Sequence, residues 1–195
     1  MFLVAGLGNP GEEYANTPHN LGFMVAGRLA EMFQIRVNRR DSKALTGVGQ
    51  IAGRDAMLAM PQTFMNLSGT SLKPLMEKHE LTAADLILVY DELALPWTSL
   101  RIKPRGSSAG HNGVDSVIRS LGTPEFIRVR LGVHPGHPLA SGMEYLLSPF
   151  KRSQLKELEQ LVAQGADAVV SIIAEGVEKA MTKFNRRAQG SNEEA

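Results

Sequence analysis

Phe2-Leu-Val-Ala-Gly-Leu-Gly-Asn-Pro-Gly11 is a short apolar run halted by three glycines and a proline. Such a run, too short for a helix and bounded by turn residues, reads as a buried strand entering a turn. Beyond it, Leu21, Met24, Val25, Leu29 and Met32 recur at spacings of three and four between Asn20 and Ile35, which predicts an amphipathic helix. Strand, glycine turn and helix in succession are the repeating unit of an α/β fold.

The rest of the chain repeats that alternation. Lys43–Ala52 and Ala56–Met60 read as strands joined by a turn at Gly53-Arg-Asp, and Leu67–His79 as a helix despite Pro74. Asp85–Tyr90 reads as a strand ending on the acidic pair Asp91 and Glu92, and Ser99–Lys103 as a half-buried strand. Pro104–Gly113 is a Gly/Ser-rich loop leading into a short helix to Leu121. Phe126–Val133 alternates, with Ile127, Val129 and Leu131 on one face and Arg128 and Arg130 on the other. Ser153–Phe184 carries a long helical pattern with a break expected near Glu175-Gly176. The expected architecture is α/β: a single domain with a mixed, largely parallel β-sheet flanked by helices. Residues 1–188 form that domain, and 189–195 are a polar tail expected to be disordered.

Composition narrows the chemistry. The 195 residues hold 21 Lys+Arg, 20 Asp+Glu, five His and no cysteine. Disulfides, cysteine-ligated zinc and a thiolate nucleophile are thereby excluded. No apolar stretch reaches the length of a membrane span, and Phe2–Leu7 is too short for a signal sequence, so a cytoplasmic protein is expected.

Two motifs mislead. Gly6-Leu-Gly-Asn-Pro-Gly11 fits the dinucleotide pattern G-x-G-x-x-G. That mechanism needs a helix N-terminus directly after the glycines, whereas Pro10 and Glu12–Pro18 delay the helix and set two carboxylates where phosphate would lie. Gly106-Ser-Ser-Ala-Gly110 fits the hydrolase elbow G-x-S-x-G, but Pro104 and Arg105 part Ser108 from its strand. His134-Pro-Gly-His137 offers two ligands without a third, so no metal is expected there.

Ligands of open α/β sheets bind beyond the carboxyl ends of the strands. Asn9 and His19 follow the first strand, Asn66 the strand ending near Met60, Asn112 the glycine loop, and Asp91 ends its own strand. An imidazole suits proton transfer near neutral pH, and a carboxylate on its other nitrogen fixes the tautomer. Asparagines hold water and polarise carbonyls. Read singly, each residue is equally a helix-start histidine, a strand-end cap or a turn residue.

Taken together these segments resemble the bacterial peptidyl-tRNA hydrolase family. Gly6-Leu-Gly-Asn-Pro-Gly-Glu-Glu-Tyr14, Thr17-Pro-His-Asn-Leu-Gly22, Thr63-Phe-Met-Asn-Leu-Ser-Gly69, Asp91-Glu-Leu-Ala-Leu-Pro96, Ala109-Gly-His-Asn-Gly113 and Phe126-Ile-Arg-Val-Arg-Leu-Gly132 occur in that family's order. The resemblance spans residues 2–187 and implies a monomeric, cofactor-free enzyme that cleaves the ester joining a peptide to the 3′-terminal ribose of tRNA. It implies His19 as general base on water, Asp91 as its orienting partner, and Asn9 in the catalytic set, with no covalent intermediate. Tyr14, Met65, Asn66 and Asn112 would bind substrate, the glycine loop would gate the cleft, and Lys103 and Arg130 would clamp the tRNA 5′-phosphate. Pro18, where the family usually has Arg, Trp97 and Arg105 depart from its pattern.

Charge distribution agrees with a polyanionic partner. Residues 101–137 carry a net +4, and residues 77–92 a net −4, within a chain whose overall charge is only +1. Lys179, Lys183, Arg186 and Arg187 share one side of the last helix, facing the tRNA stem in this reading. The rival function is a non-catalytic RNA-binding protein of splicing type on the same fold.

Overall fold

In the computed structural model, which describes residues 1–190, β1 (Phe2–Gly6) lies mid-sheet between parallel neighbours β4 (Arg54–Pro61) and β5 (Leu86–Pro96). Burial on both faces is why its sequence is a continuous apolar run and not an alternating one. The seven strands run in the order β2-β3-β4-β1-β5-β7-β6. The remaining strands are β2 (Arg39–Asp41), β3 (Ala44–Ile51), β6 (Leu100–Lys103) and β7 (Ile127–His134). The centre β4-β1-β5-β7 is parallel, and antiparallel partners close both sides. The mixed, largely parallel sheet expected from the sequence is therefore present.

Helices cover both faces. Val4, Val89 and Leu131 face α1 (Leu21–Phe33), α5 (Leu155–Glu175) and α6 (Val177–Gly190). Leu3, Leu88 and Tyr90 face α2 (Ser68–Lys78) and α3 (Asn112–Leu121). The short α4 (Gly142–Leu146) follows β7. The expected break between the last two helices falls at Gly176, whose φ of 93° only glycine adopts without strain. Pro74 sits within α2 on its exposed side. Two details depart from the sequence reading: β5 runs on past Asp91 to Pro96, and β2 was not anticipated. Three residues led by two arginines carry no apolar signal; β2 is held instead by buried Asp41, which bonds Lys78 Nζ at 3.1 Å and His79 Nε2 at 3.0 Å. At the opposite edge, the Asn185 amide bonds both the N–H and the C=O of Ile102, pairing groups of β6 that no strand meets. The expected tail at 189–195 and the side chains of Arg186 and Arg187 lie outside the described residues, apart from the helical backbone to Gly190.

The glycines of the misleading dinucleotide motif have a packing role. A Cβ on Gly6 would lie 2.1 Å from the Gly22 carbonyl oxygen, and one on Gly22 would lie 2.3 Å from the Leu7 nitrogen and 2.4 Å from the Val89 oxygen. Backbone meets backbone where α1 crosses the end of β1, which fixes the residues just ahead of that helix. Gly22→Ala is expected to cost about 2–4 kcal/mol or prevent folding, because the clash involves main chain that cannot rotate away. Gly27→Ala, exposed in the same helix with nothing within 4 Å of its Cβ, should raise stability by about 0.5–1 kcal/mol. Thermal melting of the two variants checks both signs.

Candidate active site

His19 lies in a short 3-10 turn, Pro18–Asn20, directly before α1. Its Nδ1 is 2.8 Å from Oδ2 of Asp91, and both side chains are buried. The other carboxylate oxygen, Oδ1, is 3.0 Å from Nε2 of His111. Asp91 thus stands between two imidazoles supplied by different segments.

The tautomer of His111 follows from its second nitrogen. His111 is the N-cap of α3, and its Nδ1 accepts from the backbone N–H of Gly113 at 3.1 Å and of Val114 at 3.3 Å. With Nδ1 an acceptor, the ring proton is assigned to Nε2, which donates to Asp91. His19 donates from Nδ1 to the same carboxylate, leaving its Nε2 without a protein partner among the described residues.

The electrostatics follow from burial opposed by pairing. Burial pushes His19 down, but the charge of Asp91 and its hydrogen bond together outweigh it, so the imidazole titrates above its ordinary 6.5. Burial pushes Asp91 up, and the charge of His19 together with the hydrogen bonds of His19 and His111 overrides it, holding the carboxyl below the usual range. The raised His19 contributes stability that is complete below pH 6.5 and is lost as pH rises through the folded value. The depressed Asp91 contributes stability that is present above its ordinary value and lost as pH falls.

The amides converge on the same place. Asn20 grips the Asn9 backbone, its Oδ1 accepting from Asn9 N at 2.8 Å and its Nδ2 donating to Asn9 O at 3.0 Å. The Asn9 side-chain Oδ1 accepts from Met65 N at 2.8 Å, which turns its amide nitrogen away from Met65. A cleft of about 310 Å³ is lined by Asn9, Tyr14, His19, Met65, Asn66 and Asn112, together with the apolar Phe64, Met143 and Leu147. Asp91 lies behind His19. Gly113 lets α3 seat against this cleft, since a Cβ there would lie 2.5 Å from Met65 Sδ.

Lys103 and Arg130 are placed differently. Lys103 is exposed at the end of β6, where the neighbouring charge of Arg130, then partial burial and Arg101, push its ammonium below its ordinary value. Arg130 is buried, its Nε and Nη2 bonding Glu92 Oε1 at 3.0 and 2.7 Å. Neither lines the cleft. Arg128, counted in the basic stretch of residues 101–137, is 1% exposed. His111, Asn20 and Glu92 were not singled out as site residues. The available signal for His111 was a cap-competent side chain directly before a helix and beyond a strand-end acid.

His19, Asp91 and His111 bring one ligand atom each within 4.8 Å of one another, close enough to suggest a metal. The hydrogen bonds argue otherwise: an ion would displace two donors from Asp91, and the far nitrogen of His111 caps a helix.

The family model for peptidyl-tRNA hydrolase matches residues 3–193. The chain belongs to the peptidyl-tRNA hydrolase family. It is 66% identical to the peptidyl-tRNA hydrolase of Solibacter usitatus over 194 residues, covering 100% of this chain and 99% of that one. The peptidyl-tRNA hydrolase of Bacillus subtilis is 40% identical, with 96% and 100% covered. Among solved structures, the peptidyl-tRNA hydrolase of Acinetobacter baumannii superposes with a TM-score of 0.87 at 29% identity, covering 95% of this chain and 94% of that chain. In this member of the family, His19, Asp91 and His111 meet where strand ends and helix starts converge.

Asp91→Asn removes the charge that raises His19 and leaves the burial that lowers it. The imidazole of that variant should titrate below the wild-type value when followed by NMR; an unchanged midpoint would detach Asp91 from the tuning of His19.

Proposed function

We propose that the cleft hydrolyses the ester between the peptide carboxyl group and the 3′-terminal ribose of peptidyl-tRNA, with His19 as general base. The observation that carries this reading is an imidazole whose Nδ1 is fixed on a buried carboxylate, whose Nε2 has no protein partner among the described residues, and which lines one cleft with three asparagines. Nε2 takes a proton from water as the oxygen attacks the ester carbonyl, and Asp91 stabilises the imidazolium formed. Amide N–H groups donate to the tetrahedral oxyanion, Asn9 foremost because its carbonyl oxygen is already committed to Met65. Collapse expels the ribose oxygen, which recovers the proton from His19. Asn66 and Asn112 hold the ester end and the water, Tyr14 and Met65 flank the peptide, and no metal or covalent intermediate takes part.

His111 acts on this reaction through Asp91. As a neutral donor it positions the carboxylate and ties it to the N-terminus of α3, so it is a positioning residue. The cations of β6 and β7 extend recognition to the tRNA phosphates. Lys103 is the exposed contact, and Arg130 sits behind it, held by Glu92. No described helix is long and apolar enough to cross a membrane. A cytoplasmic, monomeric enzyme fits this reading.

The experiment is deacylation of an N-blocked aminoacyl-tRNA in the presence of EDTA. Wild type should release tRNA at full rate, and His19→Ala should lose turnover by at least on the order of 100- to 10,000-fold, with its circular-dichroism spectrum intact and its melting point lowered by the loss of one donor to Asp91. A base must be neutral, so kcat/KM should rise with pH up to the raised value of His19 and then level off. Binding without deacylation by wild type would favour the non-catalytic RNA-binding reading. Lys103→Ala should weaken full tRNA substrate more than a short N-blocked aminoacyl-oligonucleotide and flatten the salt dependence; equal losses on both would remove the phosphate contact.

A further inference from the structure

Arg128 is a buried guanidinium on β7 with no carboxylate in ion-pair range among the described residues. Its hydrogen bonds run to main-chain carbonyls, and one ring lies against it. Nη1 donates to Ser107 O at 3.0 Å, Nη2 donates to Pro124 O at 2.8 Å and also to Gly106 O, and the guanidinium carbon lies 4.3 Å over the Phe126 ring. The Nε has no partner among the described residues. A cation in this setting carries a large desolvation cost, offset only if its donors are well used.

The positions of those carbonyls give the arrangement its consequence. Gly106 and Ser107 belong to the loop that enters α3, and Pro124 to the segment that leaves it. One side chain laces the chain before α3 to the chain after it. Among the described residues, no other side chain hydrogen-bonds the backbone of 104–110, whose Ala109 and Gly110 have φ of 49° and 82°. The entry loop ends at His111, bonded to Asp91, and Asn112, in the cleft. Arg128 is also the cross-strand partner of Lys103.

We propose that Arg128 is a positioning residue for the hydrolytic reaction. It sets the loop and helix that deliver His111 and Asn112, acting through backbone and never touching substrate. The proposal rests on the hydrolytic reading above. Its chemical requirement is the planar fork, because lysine keeps the charge but cannot reach carbonyls in three directions at once.

The test uses the full chain carrying Arg128→Lys, with Arg128→Met as a second variant. Melting temperature, amide hydrogen exchange at 105–113, and kcat and KM on both N-blocked aminoacyl-tRNA and the short N-blocked aminoacyl-oligonucleotide are measured. Expected for Arg128→Lys is a melting point within a few degrees of wild type, faster exchange at 105–113, and kcat lower by about tenfold or more on both substrates. Loss on the short substrate separates this from a phosphate contact, which would spare it. Wild-type exchange with wild-type kcat overturns the proposal, as does a melting loss with kcat unchanged per folded molecule. If Arg128→Met does not fold, Arg128→Lys alone decides. If wild type deacylates neither substrate, the hydrolytic reading fails, whereas exchange at 105–113 still reports whether the guanidinium fixes the loop.

Discussion

A carboxylate buried in the sheet and shared by two imidazoles is the interaction around which this site is arranged. Asp91 cannot remain charged at that depth unless both oxygens are satisfied. Its two donors come from chain segments 72 and 20 residues away. The turn before α1 must therefore meet β5 on one side, and the start of α3 must meet it on the other. Helix placement, loop closure and the protonation of His19 are consequences of satisfying one acid.

Glycine contacts make that convergence possible. Gly6 and Gly22 bring α1 against the end of β1, and Gly113 brings α3 under Met65. Gly69 does the same between α2 and α3, where a Cβ would lie 2.2 Å from Ser116 O. These are close approaches, and a side chain at any of them would separate the elements that carry the site. The G-x-G spelling near Asn9 has the same origin: it reflects helix-on-strand packing, with Phe23 over Gly8, and no phosphate cradle.

Much of the fold was legible because periodicity reports burial directly. β1, the centre of β5, α1 and the break at Gly176 all follow from local pattern. His19, Asp91 and the cleft asparagines were legible as residue types at strand ends and through family motifs. Less legible were residues defined by a partner far away in sequence. His111 reads as one more histidine until the acid it bonds is placed, and Asn20 as an ordinary helix-start residue until Asn9 is seen beside it. The burial of Arg128 was not legible for a physical reason: alternation in a strand distinguishes faces, but it cannot tell a solvent face from one covered by a loop whose carbonyls are spare.

That distinction changes what the basic strip means. Summed over residues 101–137, the cations look like one surface for a polyanion, but the structure sorts them by task. Lys103 is exposed, Arg130 is neutralised in part by Glu92, and Arg128 is spent on backbone. Their charges still add at a distance, because little countercharge is near: Lys103 is pushed down by Arg130, partial burial, Arg101 and Arg128 against Glu92 alone. Buried cations raise the potential at β6 and β7 without presenting their guanidinium groups to solvent, whereas Lys103 is exposed. Field and exposure are thus carried by different residues, and a count of positive charges in the sequence measures only the first.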